Sequence, residues 1–238
     1  MNEFIVKFIN DFKISFINNF ITDDRWQYLT KGLFVTLQIT FFAVIIGIFL
    51  GFLIAIIRTT YDKTNKLKVL NAICKLYITI IRGTPVVLQL LIIYYVVFAT
   101  VAIDKVLAAV IAFGLNSAAY VAEIVRSGIM SVDEGQMEAG RSLGFTYGQT
   151  MWHIVLPQAF KNILPALGNE FIVLLKETSV SGYIALADLT KGGEYIRSRT
   201  YDAFMPLIAV AIIYLSIVML LTHLVNKLER RMRRSDRS

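Results

Sequence analysis

Apolar residues fall in long blocks separated by short charged stretches, and the lengths of these blocks predict the architecture. A helix rises about 1.5 Å per residue and a bilayer's hydrocarbon layer is roughly 30 Å thick, so one crossing takes about 20 mostly apolar residues. Residues 32–57 meet this requirement without a single charge. The block from 68 to 98 is too long for an untilted crossing and contains Arg82, Gly83 and Pro85. Proline removes a backbone donor and crowds the preceding turn, so this block predicts one long helix kinked at that point. Further crossings are predicted over 106–130, 157–177 and 204–226. The expected fold class is all-α, a polytopic membrane helix bundle with five transmembrane helices and its termini on opposite sides. Residues 1–31 mix apolar positions with Glu3, Lys7, Asp11, Lys13, Asp23, Asp24, Arg25 and Lys31. That mixture lacks the clean apolar core of a cleavable signal and predicts an amphipathic, extracytoplasmic segment. No linker or solenoid repeat interrupts 32–226, which is expected to form one domain with a loop at 131–160, followed by a basic tail at 227–238.

Composition agrees with the pattern. Of 238 residues, 56% are hydrophobic and 17% charged, with a mean hydropathy of +0.63; soluble domains carry about a quarter charged residues. The placement of charge adds an orientation. Arg58, Lys63, Lys66, Lys68, Arg126, Arg141, Lys161 and the tail cations Lys227, Arg230, Arg231, Arg233, Arg234 and Arg237 outnumber Asp62, Asp133, Glu134, Glu138, Glu229 and Asp236 on one side. Cations and acids balance on the other, so the whole net charge of +7 lies on one face. The positive-inside rule makes that face cytoplasmic and puts the N-terminus outside. Basic residues at a membrane edge match anionic lipid, which leaves no need for a nucleic-acid partner. The single cysteine, Cys74, excludes an internal disulfide and cysteine-based metal sites.

Between the third and fourth crossings lies SVDEGQMEAGRSLGFTYGQTMWHIVLPQAF, residues 131–160. Ser131 with Glu134 reads as a capping box, Gly144 as a helix stop, and Thr146 with Gln149 as a second capping box. Two short helices joined by a hinge are expected, either as a docking element for a cytoplasmic partner or as an interfacial hairpin resting on lipid. This segment resembles the EAA loop of ABC importer permeases, with Glu138, Ala139, Gly144, Ile154, Leu156 and Pro157 in the places of that pattern and Gly140 in place of its second alanine. RGTPVVLQ at 82–89, NSAAYVAEIVRSGI at 116–129 and LPALGNEFIVLLKETS at 164–179 are similar to the polar amino acid subfamily.

The resemblance implies the ABC importer permease (MetI-like) fold. Two permease subunits, identical or related, would pair in the membrane. Two ATPase subunits would receive the coupling residues Glu138, Ala139, Gly140, Gly144, Leu156 and Pro157, and an extracytoplasmic binding protein would deliver an amino acid. The sequence holds no G-x-x-x-x-G-K-[ST] loop for ATP phosphates, so a separate subunit must hydrolyse ATP.

Charge inside a bilayer costs at least roughly 2.5 to 3.5 kcal/mol per residue, so each such residue asks for a cause. Glu123 and Arg126 are three apart and form either a local ion pair or part of a ligand site. In the fourth crossing Asn169 and Lys176 share one stripe and Glu170 and Glu177 the next, and this polar edge is expected to face the bundle interior. A substrate ammonium would suit Glu170 beside Asn169, and a substrate carboxylate would suit the two-pronged guanidinium of Arg82, which could alternatively just hold the kink. Glu170 and Glu123 together tilt the expected substrate toward a basic side chain. Gly47 and Gly51 form a GxxxG that predicts close helix packing. His153 and His223 lack partners spaced for a metal. With no visible inverted repeat and no nucleophile paired with a base, a secondary amino acid transporter without an ATPase is the weaker alternative, and an enzyme weaker still.

Overall fold

A computed structural model describes residues 2–234, with side chains from 4 to 232. The tail positions Asp236 and Arg237 therefore lie outside the described residues, as does the side chain of Glu3. Every regular element among the described residues is a helix: α1 (Asn2–Phe16), α2 (Trp26–Thr64), α3 (Lys68–Gly83), α4 (Val86–Ile92), α5 (Lys105–Met130), α6 (Glu134–Ser142), α7 (Tyr147–Thr150), α8 (Leu156–Glu177), α9 (Leu189–Thr200) and α10 (Phe204–Arg234).

Among the described residues three helices, α2, α5 and α10, are long and apolar enough to cross a membrane. The expected first, third and fifth crossings thus appear, with α2 beginning before Gly32 and α10 running on past Asn226. The second does not form the expected kinked helix. The chain breaks between α3 and α4, and its direction turns by 110° from Lys68–Gly83 to Val86–Val97. Thr84 (φ −126°, ψ 149°) and Pro85 (ψ 137°) are extended, because the proline ring drives the residue before it out of the helical region. The fourth, α8, has the length of a crossing but carries Lys161, Glu170, Lys176 and Glu177.

α5 is the buried centre. Its small residues let α2 come close, and Gly47 and Gly51 do the packing their spacing predicts. A Cβ on Gly47 would stand 2.8 Å from the Ser117 side chain, and one on Gly51 would press into Val121. Ile39, Ala43, Leu90, Phe113 and Leu174 fill one end of the core, and Ala55, Val121, Val125, Ala159 and Ile163 the other. α1 is an exposed helix, with Phe4, Phe8 and Phe12 open on one side. Its continuation is latched to the start of α10: the buried Asn19 amide donates to Asp202 at 2.7 Å and accepts from the Thr200 hydroxyl at 2.8 Å.

Candidate functional site

Two features stand out at the end of the bundle that carries the excess of basic residues. The first is a cleft of about 510 Å³ where α3 and α8 flank α5, lined among others by Arg82, Tyr120, Glu123, Arg126, Ser131 and Asn162. Glu123 is its electrostatic centre. It pairs with Arg58 of α2, with Arg126 at 3.4 Å and more loosely with Arg82 at 3.9 Å, while Arg126 also reaches Asp62 at 3.8 Å. Three guanidinium groups thus share two carboxylates. The local ion pair of Glu123 with Arg126 is real but is one strand of a larger network. Arg82 is the least committed member. Its side chain is 46% exposed, and its guanidinium lies over the Tyr120 ring at 5.4 Å. At 3.9 Å its hold on Glu123 is too long for a hydrogen bond, so another carboxylate could compete for it.

Glu170 lies one helical turn from Ala166, which lines this cleft, and accepts a hydrogen bond from the Ser117 hydroxyl at 3.0 Å. The four predicted substrate residues therefore do not share one closed pocket: Arg82 of α3 and Glu123 of α5 line the cleft, Glu170 meets Ser117 across the α5–α8 seam, and Asn169 follows Asn162 and Ala166 along one stripe of α8 at helical spacing. One expectation fails here. Asn169 and Lys176 are exposed, so their stripe of α8 opens to the outside of the single chain, whereas Glu170 on the neighbouring stripe turns to Ser117 of α5 and Glu177 is half-buried. The α5–α8 and α8–α10 contacts use the apolar and small residues of α8 instead, such as Ile163 beneath Gly128 and Gly168 beneath Val225. The tilt toward a basic substrate also loses half its basis, since Glu123 is already surrounded by arginines.

The second feature is the folded loop. α6 ends in a Schellman turn in which the Phe145 N–H reaches the Gly140 carbonyl at 3.2 Å and the Gly144 N–H reaches Arg141 at 3.0 Å. Gly144 takes φ +87°, and the Thr146–Gln149 capping box opens α7 as predicted. The first predicted capping box is absent. α5 runs through to Met130, and the Ser131 hydroxyl donates back to Gly128 at 2.7 Å, so Asp133 caps α6 instead, accepting from the Gly135 N–H at 2.7 Å. The second arm is not a separate helix either, because a π-helical turn over Met151–Val155 joins α7 directly to α8. Glu138 and Ala139 face outward while Gly140 is buried against Thr150 and Ile154, which explains the glycine where the EAA pattern has alanine. Leu156 is half-buried and Pro157 exposed in the first turn of α8. The hairpin is tied to its surroundings by Lys63 to Glu134 at 3.2 Å and by Gln158 to Gln136 at 3.3 Å.

Residues 43–234 match the family described as binding-protein-dependent transport system inner membrane component. The chain belongs to this family. It is 39% identical to the arginine transport system permease protein ArtQ of Bacillus subtilis (strain 168), over 88% of this chain and 94% of that protein. It is 38% identical to the L-cystine transport system permease protein TcyB of the same organism, over 88% of each. With the glutamine transport system permease protein GlnP of Escherichia coli (strain K12) the identity is 36%, over 86% and 93%. Among solved structures, an amino acid ABC transporter with histidines aligns at a TM-score of 0.81 and 43% identity, covering 89% of this chain and 98% of that one. The MetNI methionine transporter shares the fold at a TM-score of 0.74 and 21% identity, over 87% and 97%. This permease is therefore an amino acid ABC importer membrane component of MetI-like fold, in a family whose ATPase is a separate subunit.

Sequence reasoning missed several of the permease's polar residues. Arg58 lies just past the predicted first crossing, yet it continues the stripe of Gly47, Gly51 and Ala55 that faces α5, and that periodicity could have found it. Ser117, Tyr120 and Asn162 are neutral and carry no signal until α5 and α8 are placed side by side.

Proposed function

We propose that this chain is the permease subunit of an ATP-driven importer of a polar amino acid in a bacterial cytoplasmic membrane. In this reading it crosses five times, with the N-terminus outside and the C-terminus in the cytoplasm. The connectivity supports five crossings. Lys63 at the end of α2 meets the hairpin, whereas Lys105 at the start of α5 reaches the Ala185 carbonyl at 3.2 Å near the opposite end. The intervening α3–α4 pair therefore travels between the two ends and acts as a broken crossing.

The observation that carries the reading is the hairpin itself. Its turn leaves Leu143 76% and Phe145 40% exposed beside the outward-facing Glu138 and Ala139. Apolar side chains held rigidly at the basic end of the bundle are a surface for a protein partner. A separate ATPase subunit seated there would pull α6 and, through the continuous helix from α7 into α8, move the seam that holds Glu170. Asn169, Glu170, Glu123 and Arg82 would line the substrate path. Arg82 would meet the substrate carboxylate and Glu170 the ammonium, and a second permease subunit, identical or related, would cover the open side of the seam. An extracytoplasmic binding protein would supply the substrate. The named relatives move arginine, cystine and glutamine, which fits a polar substrate without choosing among them.

Reconstituting the permease with its ATPase and binding protein in vesicles tests this reading. Uptake of a radiolabelled polar amino acid should require ATP hydrolysis on the hairpin side. Uptake driven by an ion gradient in the absence of the ATPase would overturn it.

A further inference from the structure

The break between α3 and α4 poses a problem that one side chain answers. The last carbonyls of a helix have no partner within it, and at membrane depth they find no water. The Thr84 hydroxyl donates to the Ile80 carbonyl at 2.9 Å. The Gln89 amide, on the far side of the break and 8% exposed, donates to the Ile81 carbonyl at 2.7 Å and lies 3.1 Å from the Thr84 carbonyl and 2.9 Å from its hydroxyl. The remaining end of the same side chain, its carbonyl, accepts from the Asn116 amide of α5 at 2.9 Å. Asn116 is 2% exposed and lies seven residues before Glu123, two turns along one face of the central helix. Arg82 lies seven residues before Gln89 and meets Glu123 at the other end of that face. A second tie, from the Tyr77 hydroxyl to the Leu115 carbonyl, holds α3 against α5 at the level of Asn116.

We propose that Gln89 is a positioning residue for transport: clamped between the end of α3 and Asn116, it holds the break at the angle that aims Arg82 into the cleft beside Glu123. Neither amide touches the cleft. Their effect passes through the backbone of residues 81–84 to the guanidinium. The inference rests on the reading of Arg82 as substrate-facing, and the test separates the two.

Uptake is measured at subsaturating substrate in reconstituted vesicles for Gln89→Met, Asn116→Ala, Arg82→Gln and the double variant Gln89→Met/Arg82→Gln. Gln89→Met should lower uptake about tenfold, what one charge-assisted hydrogen bond is worth. The double variant should fall no further than Arg82→Gln alone, because a residue that acts only through Arg82 has nothing left to position. A second readout follows geometry directly. Cysteines placed as Arg82→Cys and Glu123→Cys in a Cys74→Ala background replace two long side chains whose tips meet at 3.9 Å, so a bifunctional thiol reagent long enough to replace their reach should bridge them readily with Gln89 present and at least several-fold more slowly with Gln89→Met. Asn116→Ala leaves the cap on α3 intact and should show both losses, so it keeps the test sharp if Gln89→Met does not assemble. Unchanged cross-linking in both clamp variants overturns the proposal. So does a loss from Gln89→Met that is as large in the Arg82→Gln background as in the wild type. Normal uptake by Arg82→Gln would instead remove the substrate role of Arg82, and the cross-linking result would still decide whether the clamp sets its position.

Discussion

Glu170 and Gly144 are the two residues whose chemistry can be tested most directly. Glu170 has one hydrogen-bond donor, Ser117, and the net cationic cluster around Glu123 lies two turns further along α5. Glu170→Gln keeps the shape and the acceptor while removing the charge, so assembly with the ATPase should persist and uptake should fall about tenfold or more, the scale of one charged hydrogen bond. Normal uptake, or loss of the assembled complex on a gel, would return Glu170 to a packing role. Gly144 stands at φ +87° with open space around its Cβ position, so a side chain there meets backbone strain rather than a clash. Gly144→Val should cost roughly 1 to 2 kcal/mol and misdirect Leu143 and Phe145. Substrate-stimulated ATP hydrolysis should drop; full stimulation in the folded variant would count against the hairpin as the coupling point.

At the scale of elements, the end opposite the hairpin carries a pH-sensitive cap. Asp188 is fully buried and caps α9 by accepting from the N–H groups of Thr190 and Lys191. Burial pushes its carboxyl up from 3.8 to about 6, against those hydrogen bonds and with Glu194 adding to the rise. Lys191 pairs with Glu194 at 2.7 Å beside it, and Tyr214 of α10 faces it. A carboxyl that holds its proton more tightly folded than unfolded contributes stability that grows as pH falls through about 6 and levels off below 3.8. The purified permease should therefore melt at a higher temperature at pH 5 than at pH 7. Asp188→Asn, which retains a capping acceptor, should flatten that difference. An equal pH dependence in both proteins would assign it to other groups.

For the whole molecule the decisive question is the count of crossings. If the α3–α4 pair crosses, five helices separate the termini. If it turns back, four crossings place both termini on one side. Cysteines introduced as Asn2→Cys and Ser238→Cys in a Cys74→Ala background distinguish these cases with an impermeant thiol reagent on intact cells. Only position 2 should label; labelling of both would replace the five-crossing arrangement with a re-entrant one.

The long apolar blocks and the lopsided charge were sufficient to read the helix class, the positions of α2, α5 and α10, and the turn at Gly144, because each depends on local periodicity or on backbone freedom at one residue. The glycines of α2 likewise announced a close contact, though not its partner. What the sequence could not carry was the meeting of distant residues. Arg58, Arg82 and Arg126 converge on Glu123 from three helices, and Gln89 reaches across a break to Asn116. The angle of that break came from the clash of Pro85 with Thr84 together with the docking of both halves on α5, so a hydropathy profile saw one continuous block. The outward direction of Asn169 was decided the same way, since Ile163 and Gly168 took the contacts with α5 and α10 and left the polar stripe of α8 on the open side.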